Sequence, residues 1–77
     1  MVIGIADFCK ELGDILQIDT ELNPESSFEG MEEWDSVSFM IVITYFEQYF
    51  SKKISFEQLA KCKKVQDVID LSEKNIA

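Results

Sequence analysis

Few side chains in this sequence could do chemistry: fifteen carboxylates, seven lysines, two cysteines and, among its serines, Ser36, set between Asp35 and an apolar run. Histidine and arginine are absent. Without histidine, a Ser-His-Asp triad, a Cys-His pair and a His-ligated zinc site are excluded. A carboxylate enzyme would need two acids with pKa values pushed apart in one pocket, and no spacing here pairs them so. The chain is read as a non-enzyme with no catalytic residue. Asp35 and Ser36 both suit the N-cap of a following helix. A serine there holds its hydroxyl beside unpaired N–H groups and the positive end of the dipole, a favourable place for an esterified phosphate. No base accompanies it, so modification would need an external enzyme. Taken alone, Asp-Ser before an apolar run is most often just a cap. The physics permits Ser36 as a phosphate attachment point and disfavours it as a hydrolytic nucleophile.

The other candidates have plainer readings. Cys9 and Cys62 belong to no metal-spaced or CxxC cluster, and two reduced cysteines filling small apolar sites is the expectation. Residues from Asp19 fail as a calcium loop, because Pro24 stands where the sharp turn needs glycine and Gly30 where the bidentate glutamate belongs. No metal site is expected. The formal charge is −8, with eleven acids against Lys10 in residues 1–50 and six lysines against four acids in residues 51–77. Such a chain disfavours nucleic acid and anionic membrane surfaces. The opening Met1–Ala6 lacks a basic leader region, and no 18-residue apolar span follows, so no membrane insertion and a cytoplasmic location are expected.

Positioning these groups requires helices. With 77 residues and 47% apolar content, one domain spanning 1–77 is expected. Wound at 100° per residue, residues 3–17 gather Ile5, Phe8, Cys9, Leu12, Ile15 and Leu16 on one arc, with Asp7, Lys10, Glu11, Asp14 and Gln17 opposite. Gly13 sits inside that helix without interrupting its period. Residues 18–35 lose the period and read as a long ordered loop anchored by Leu22, Phe28, Met31 and Trp34. Residues 36–50 are the most apolar segment, too long and too unbroken for a strand. Their wheel puts Phe39, Val42, Ile43, Phe46 and Phe50 on one side and Val37, Met40, Ile41, Thr44, Glu47 and Gln48 on the other. That second face should be polar on a surface helix, and its apolar members read as a contact site. A short helix near 56–61 and an amphipathic one over 65–75 complete an all-α four-helix bundle, three main helices and one short.

Trp34-Asp35-Ser36-Val37, followed by the Phe39–Phe50 helix, resembles the phosphopantetheine site of the acyl carrier protein family, whose usual signature is Asp-Ser-Leu. The likeness extends along the chain: the first helix, the long loop, Phe46-Glu47-Gln48-Tyr49-Phe50, the Lys53-Ile54-Ser55-Phe56 turn and the Val65–Ile69 segment. It implies that Ser36 carries 4′-phosphopantetheine delivered from coenzyme A by a phosphopantetheinyl transferase using magnesium, and that the arm's thiol holds an acyl group as a thioester. It also implies that Asp35 supports the site and that Val37, Met40, Ile41, Thr44, Glu47 and Gln48 meet partner enzymes with basic docking surfaces. Those partners would load, elongate or transfer the acyl group in fatty-acid, polyketide or other specialised biosynthesis. A monomer is implied as well.

The departures are informative. Val37 replaces the signature leucine, a loss of one methylene on the order of 1 kcal/mol in a partner pocket. The helix face carries one clear acid, Glu47, while Ser38, Ile41 and Gln48 are uncharged, so steering falls to Glu29, Glu32, Glu33 and Asp35 in the loop. A specialised partner set is the expectation. Two alternatives stay open: an aminoacyl or peptidyl carrier, and an unmodified helical adaptor binding through Val37, Met40 and Ile41.

Overall fold

In a computed structural model that describes residues 2–77, the chain winds four helices and no strand longer than an isolated bridge: α1 (Ile5–Leu16), α2 (Ser36–Phe50), α3 (Phe56–Ala60) and α4 (Val65–Leu71). The apolar arc of α1 buries Phe8, Cys9, Leu12 and Leu16. This helix starts at Ile5, two residues later than its periodicity predicts, because Ile3 is drawn into a parallel bridge beside Ile76. The Ile3 N–H donates to the Asn75 carbonyl at 2.8 Å, and the Ala77 N–H donates back to the Ile3 carbonyl at 2.9 Å. Both α1 and α2 end on a residue in the left-handed region, Gln17 (φ 56°) and Ser51 (φ 52°). From there the backbone N–H groups satisfy carbonyls of the last turn that would otherwise lack donors.

The last helix is shorter than expected. It stops at Leu71 rather than continuing to 75. The buried Ser72 hydroxyl donates to the Ile69 carbonyl at 2.6 Å and accepts from the Ile76 N–H at 3.1 Å. Glu73 and Lys74 then turn through positive φ, which swings Ile76 under the bundle. One serine thus exchanges the end of a helix for a tight return.

Packing centres on Phe8, Leu12, Val42, Phe46, Leu59, Val65 and Val68, all essentially inaccessible. Phe8 meets Phe46 edge to face across α1 and α2, with ring centres 6.4 Å apart. Truncating either ring to alanine would cost about 3–5 kcal/mol. The long connection between α1 and α2 is held by the turn before α4 and by its first residues. Leu22 and Phe28 are buried, Phe28 N–H donates to the Lys63 carbonyl, and the carbonyls of Ser26 and Pro24 accept from Val65 and Gln66. The first N–H groups of α4, which have no partner inside their own helix, are satisfied by the loop. Cys9 and Cys62 are free and buried, and the Cys62 thiol donates to the Gln58 carbonyl at 3.3 Å.

Two features of this frame are testable. Gly13 lies in the last turn of α1, and a Cβ added there would meet nothing within 4 Å. Gly13→Ala should therefore stabilise the protein by about 1 kcal/mol and raise the thermal midpoint by about 4–8 °C, read by circular dichroism. At α4, the Asp67 carboxylate accepts from the Lys63 and Lys64 N–H groups at 2.8 and 3.1 Å, and these bonds hold its pKa below the usual carboxylate range. A carboxyl with a depressed folded pKa stabilises above its unfolded value of about 4 and loses that contribution as pH falls through the folded one. Denaturant titrations should show Asp67→Asn clearly less stable than the parent at pH 7, with the gap narrowing at pH 3.

Candidate functional site

The loop reaches the site through two successive turns. Met31 N–H donates to the Phe28 carbonyl at 3.0 Å, and Trp34 N–H to the Met31 carbonyl at 3.2 Å, with Gly30 supplying the positive φ of 75° between them. Trp34 then lies flat on Phe28, ring centres 3.8 Å apart, and meets Phe39 of α2 edge on at 4.8 Å. The Phe39 ring continues to Phe56 of α3 at 6.0 Å. This ladder of four rings joins the loop to α2 and α3 beside the start of α2. The Trp34 indole N–H is covered and has no acceptor among the described residues.

Asp35, not Ser36, is the N-cap. Its backbone is extended (φ −137°, ψ −174°), and its Oδ1 accepts from the N–H groups of Val37 and Ser38 at 3.0 and 3.1 Å. Ser38 returns the favour: its Oγ accepts from the Asp35 N–H at 3.0 Å and donates to the Asp35 carbonyl at 2.9 Å. Ser38 is buried by this role, so it does not belong to the exposed helix face with whose Ile41 and Gln48 the sequence groups it. Sequence reasoning missed it, although a serine three residues after an aspartate carries the signal for a reciprocal cap.

Ser36 is the first residue inside α2, exposed, and its hydroxyl has no hydrogen-bond partner among the described residues. The expectation of free N–H groups beside it needs correction, because Asp35 occupies those of Val37 and Ser38. A group attached at Ser36 is oriented by the helix dipole and open to solvent instead of being cradled by amides. The residues present fit a tethered phosphate: the Ser36 oxygen is unengaged and accessible, and the cap groups of Asp35 and Ser38 beside it are bonded to one another.

The face beyond Ser36 is apolar. Val37, Met40 and Ile41 are 65%, 60% and 44% exposed. Met40, Ile41, Thr44 and Gln48 form, with Ile15 of α1 and Tyr45, a shallow groove of about 350 Å³. The Thr44 hydroxyl is occupied, donating to the Met40 carbonyl at 3.0 Å. Tyr45 carries a buried hydroxyl without a partner among the described residues. Burial, then the charges of Glu11 and Asp7 and neighbouring Tyr49, push its pKa up to about 12, so it stays a neutral phenol. On the inward side Val42 and Phe46 are fully buried, whereas Phe39, Ile43 and Phe50 are only partly covered. Glu29, Glu32, Glu33 and Asp35 are exposed on the loop, and Glu47 on the helix.

Residues 6–72 match the family described as a phosphopantetheine attachment site. The chain belongs to this acyl carrier family. The matched segment is accordingly a phosphopantetheine-attachment domain. It is similar to acyl carrier proteins from Myxococcus xanthus and Micrococcus luteus, each 39% identical over 50 residues, or 65% of this chain. The matched stretch spans 63% and 62% of those two proteins. The fold is that of the holo acyl carrier protein from Geobacter metallireducens, solved in solution, with a TM-score of 0.67 and 28% identity over 92% of this chain and 83% of that one. No helix among the described residues is long and apolar enough to cross a membrane.

Asp35 and Ser36 separate cleanly by mutation. Asp35→Ala leaves two N–H groups without their acceptor and should cost about 1 kcal/mol. Ser36→Ala removes an exposed hydroxyl that bonds nothing and should change stability by less than about 0.5 kcal/mol. Urea unfolding of both variants checks the contrast.

Proposed function

We propose that Ser36 bears the 4′-phosphopantetheine arm and that the chain carries acyl intermediates as thioesters on the arm's thiol, as one domain spanning 1–77. One observation supports this most directly. Within the Asp35–Ser38 turn, the Ser36 hydroxyl is the side-chain polar group left both exposed and unbonded. Loading would form a bond from Ser36 Oγ to the phosphopantetheinyl phosphorus of coenzyme A and break its anhydride bond. The serine proton would pass to a base on the transferase, and adenosine 3′,5′-bisphosphate would leave. The arm supplies a thiol on a long flexible tether. Asp35 orients the first turn, while Val37, Met40, Ile41, Thr44, Glu47 and Gln48 offer the surface that partners read.

That surface supports a finer reading. Its centre is apolar, with Glu47 as its acid, and the loop carboxylates border it. Such a face gains most from desolvation and takes its long-range steering from the border. It suits acyl-loading, elongating or acyltransferase enzymes of a specialised pathway, with basic residues placed around an apolar patch, more than the general enzymes of fatty-acid synthesis. A cytoplasmic monomer fits the acidic surface, whose net charge of −8 opposes self-association.

The decisive measurement is intact mass after incubation with coenzyme A, magnesium and a broad-specificity phosphopantetheinyl transferase. A gain of one phosphopantetheine, absent in Ser36→Ala, is expected. No gain with that enzyme or with the host's own transferases would overturn the assignment and favour a helical adaptor acting through Val37, Met40 and Ile41.

A further inference from the structure

A cleft of about 800 Å³ runs between α1 and residues 18–24 and takes no residue from α2. Its apolar lining comes from Ile5, Cys9, Ile18, Leu22 and Pro24, with the bare backbone of Gly13. Its acidic residues are Asp7, Asp14, Asp19 and Glu21, all exposed, against the single cation Lys10.

Gly13 is the informative residue. A glycine within a helix is destabilising, so a fold keeps one where the backbone needs positive φ or where a side chain would collide. Neither holds here: Gly13 is in regular α-helix, and a methyl group would touch nothing within 4 Å. What the missing side chain does is leave the wall of the cleft open, so that an incoming group can approach the helix backbone closely.

We propose that this cleft docks a peptide segment of a partner protein, one presenting apolar side chains flanked by lysine or arginine. The apolar lining and the space over Gly13 accept the apolar side chains, and four carboxylates against one lysine select the cationic flanks. Because α2 contributes nothing to the cleft, a segment seated there leaves Ser36 and the Val37–Gln48 face uncovered. Two proteins can then engage the chain at once, one at this cleft and one at the α2 face. The inference stands independently of what Ser36 carries, and it applies to the unmodified chain.

The test is titration of the isotopically labelled full chain with a synthetic amphipathic helix about four turns long, leucines on one face and lysines at its flanks, followed by amide NMR shifts. Shifts should gather at Ile5, Cys9, Gly13, Ile18 and Leu22, and a control peptide with serine in place of leucine should not produce them. Gly13→Leu should keep or raise the thermal midpoint yet weaken binding by roughly tenfold or more, the scale of one buried side chain. Should that variant fold poorly, Asp19→Lys combined with Glu21→Lys tests the same site from its exposed rim and should weaken binding comparably. The idea is overturned by an absence of binding, by shifts confined to α2 or to residues 29–35, or by equal binding of the serine peptide. Unchanged affinity in a folded Gly13→Leu protein would overturn it too, as would the same shifts appearing with protein concentration alone, which would mean self-association. The mass measurement on Ser36 is unaffected by any of these results.

Discussion

The reciprocal bonds between Asp35 and Ser38 decide where α2 begins, and the rest of the molecule follows from that starting point. A helix advances 100° per residue, so a start one residue later would make Ser36 the cap. Its hydroxyl would then be spent on a backbone N–H. With the cap at Asp35, Ser36 opens the helix with its oxygen unengaged. Val42 and Phe46 turn into the core, and Val37, Met40 and Ile41 turn out. A four-bond local motif thus sets both the chemistry available at the helix head and the surface displayed behind it.

α2 is unusual in being apolar on both sides. Its inward residues pack against Phe8 and Leu12, so that side is explained by folding alone. The outward residues Val37, Met40 and Ile41 are only partly covered within the chain, and the apolar surface they leave exposed adds nothing to the stability of the fold. Solubility is maintained by the charge around them, which is concentrated in the first fifty residues. A pattern with one side accounted for by packing and the other left open is what a reading surface requires.

Periodicity made much of this legible in advance. The arc of α1 and the length of α2 follow from apolar spacing, and the long loop's anchors follow from isolated large residues in a polar stretch. The helix ends were harder, because they depend on hydrogen bonds that apolar spacing does not encode. Ile3 leaves α1 to pair with Ile76, and Ser72 replaces the last turn of α4 with a buried hydroxyl. Ile76 lies far outside any local window around Ile3, and the Ser72 bonds, though local, accompany a backbone turn that periodicity does not reveal. At the site, the special position of Ser36 was readable from its place before an apolar run. Assignment of the cap to Asp35 over Ser36, and the recruitment of Ser38 inward, needed backbone geometry. Gly13 was visible as a helix weakness, whereas the open space beside it was not.

The chain contains a single tryptophan, and the structure has placed it against Phe28 and Phe39, two residues before Ser36. Its emission therefore comes from one known location, the ring ladder joining loop, α2 and α3. The unpaired indole N–H makes that emission sensitive to any new acceptor or to admitted water. The protein thus holds an intrinsic optical gauge of the state of its own Asp35–Ser38 turn, readable without a label.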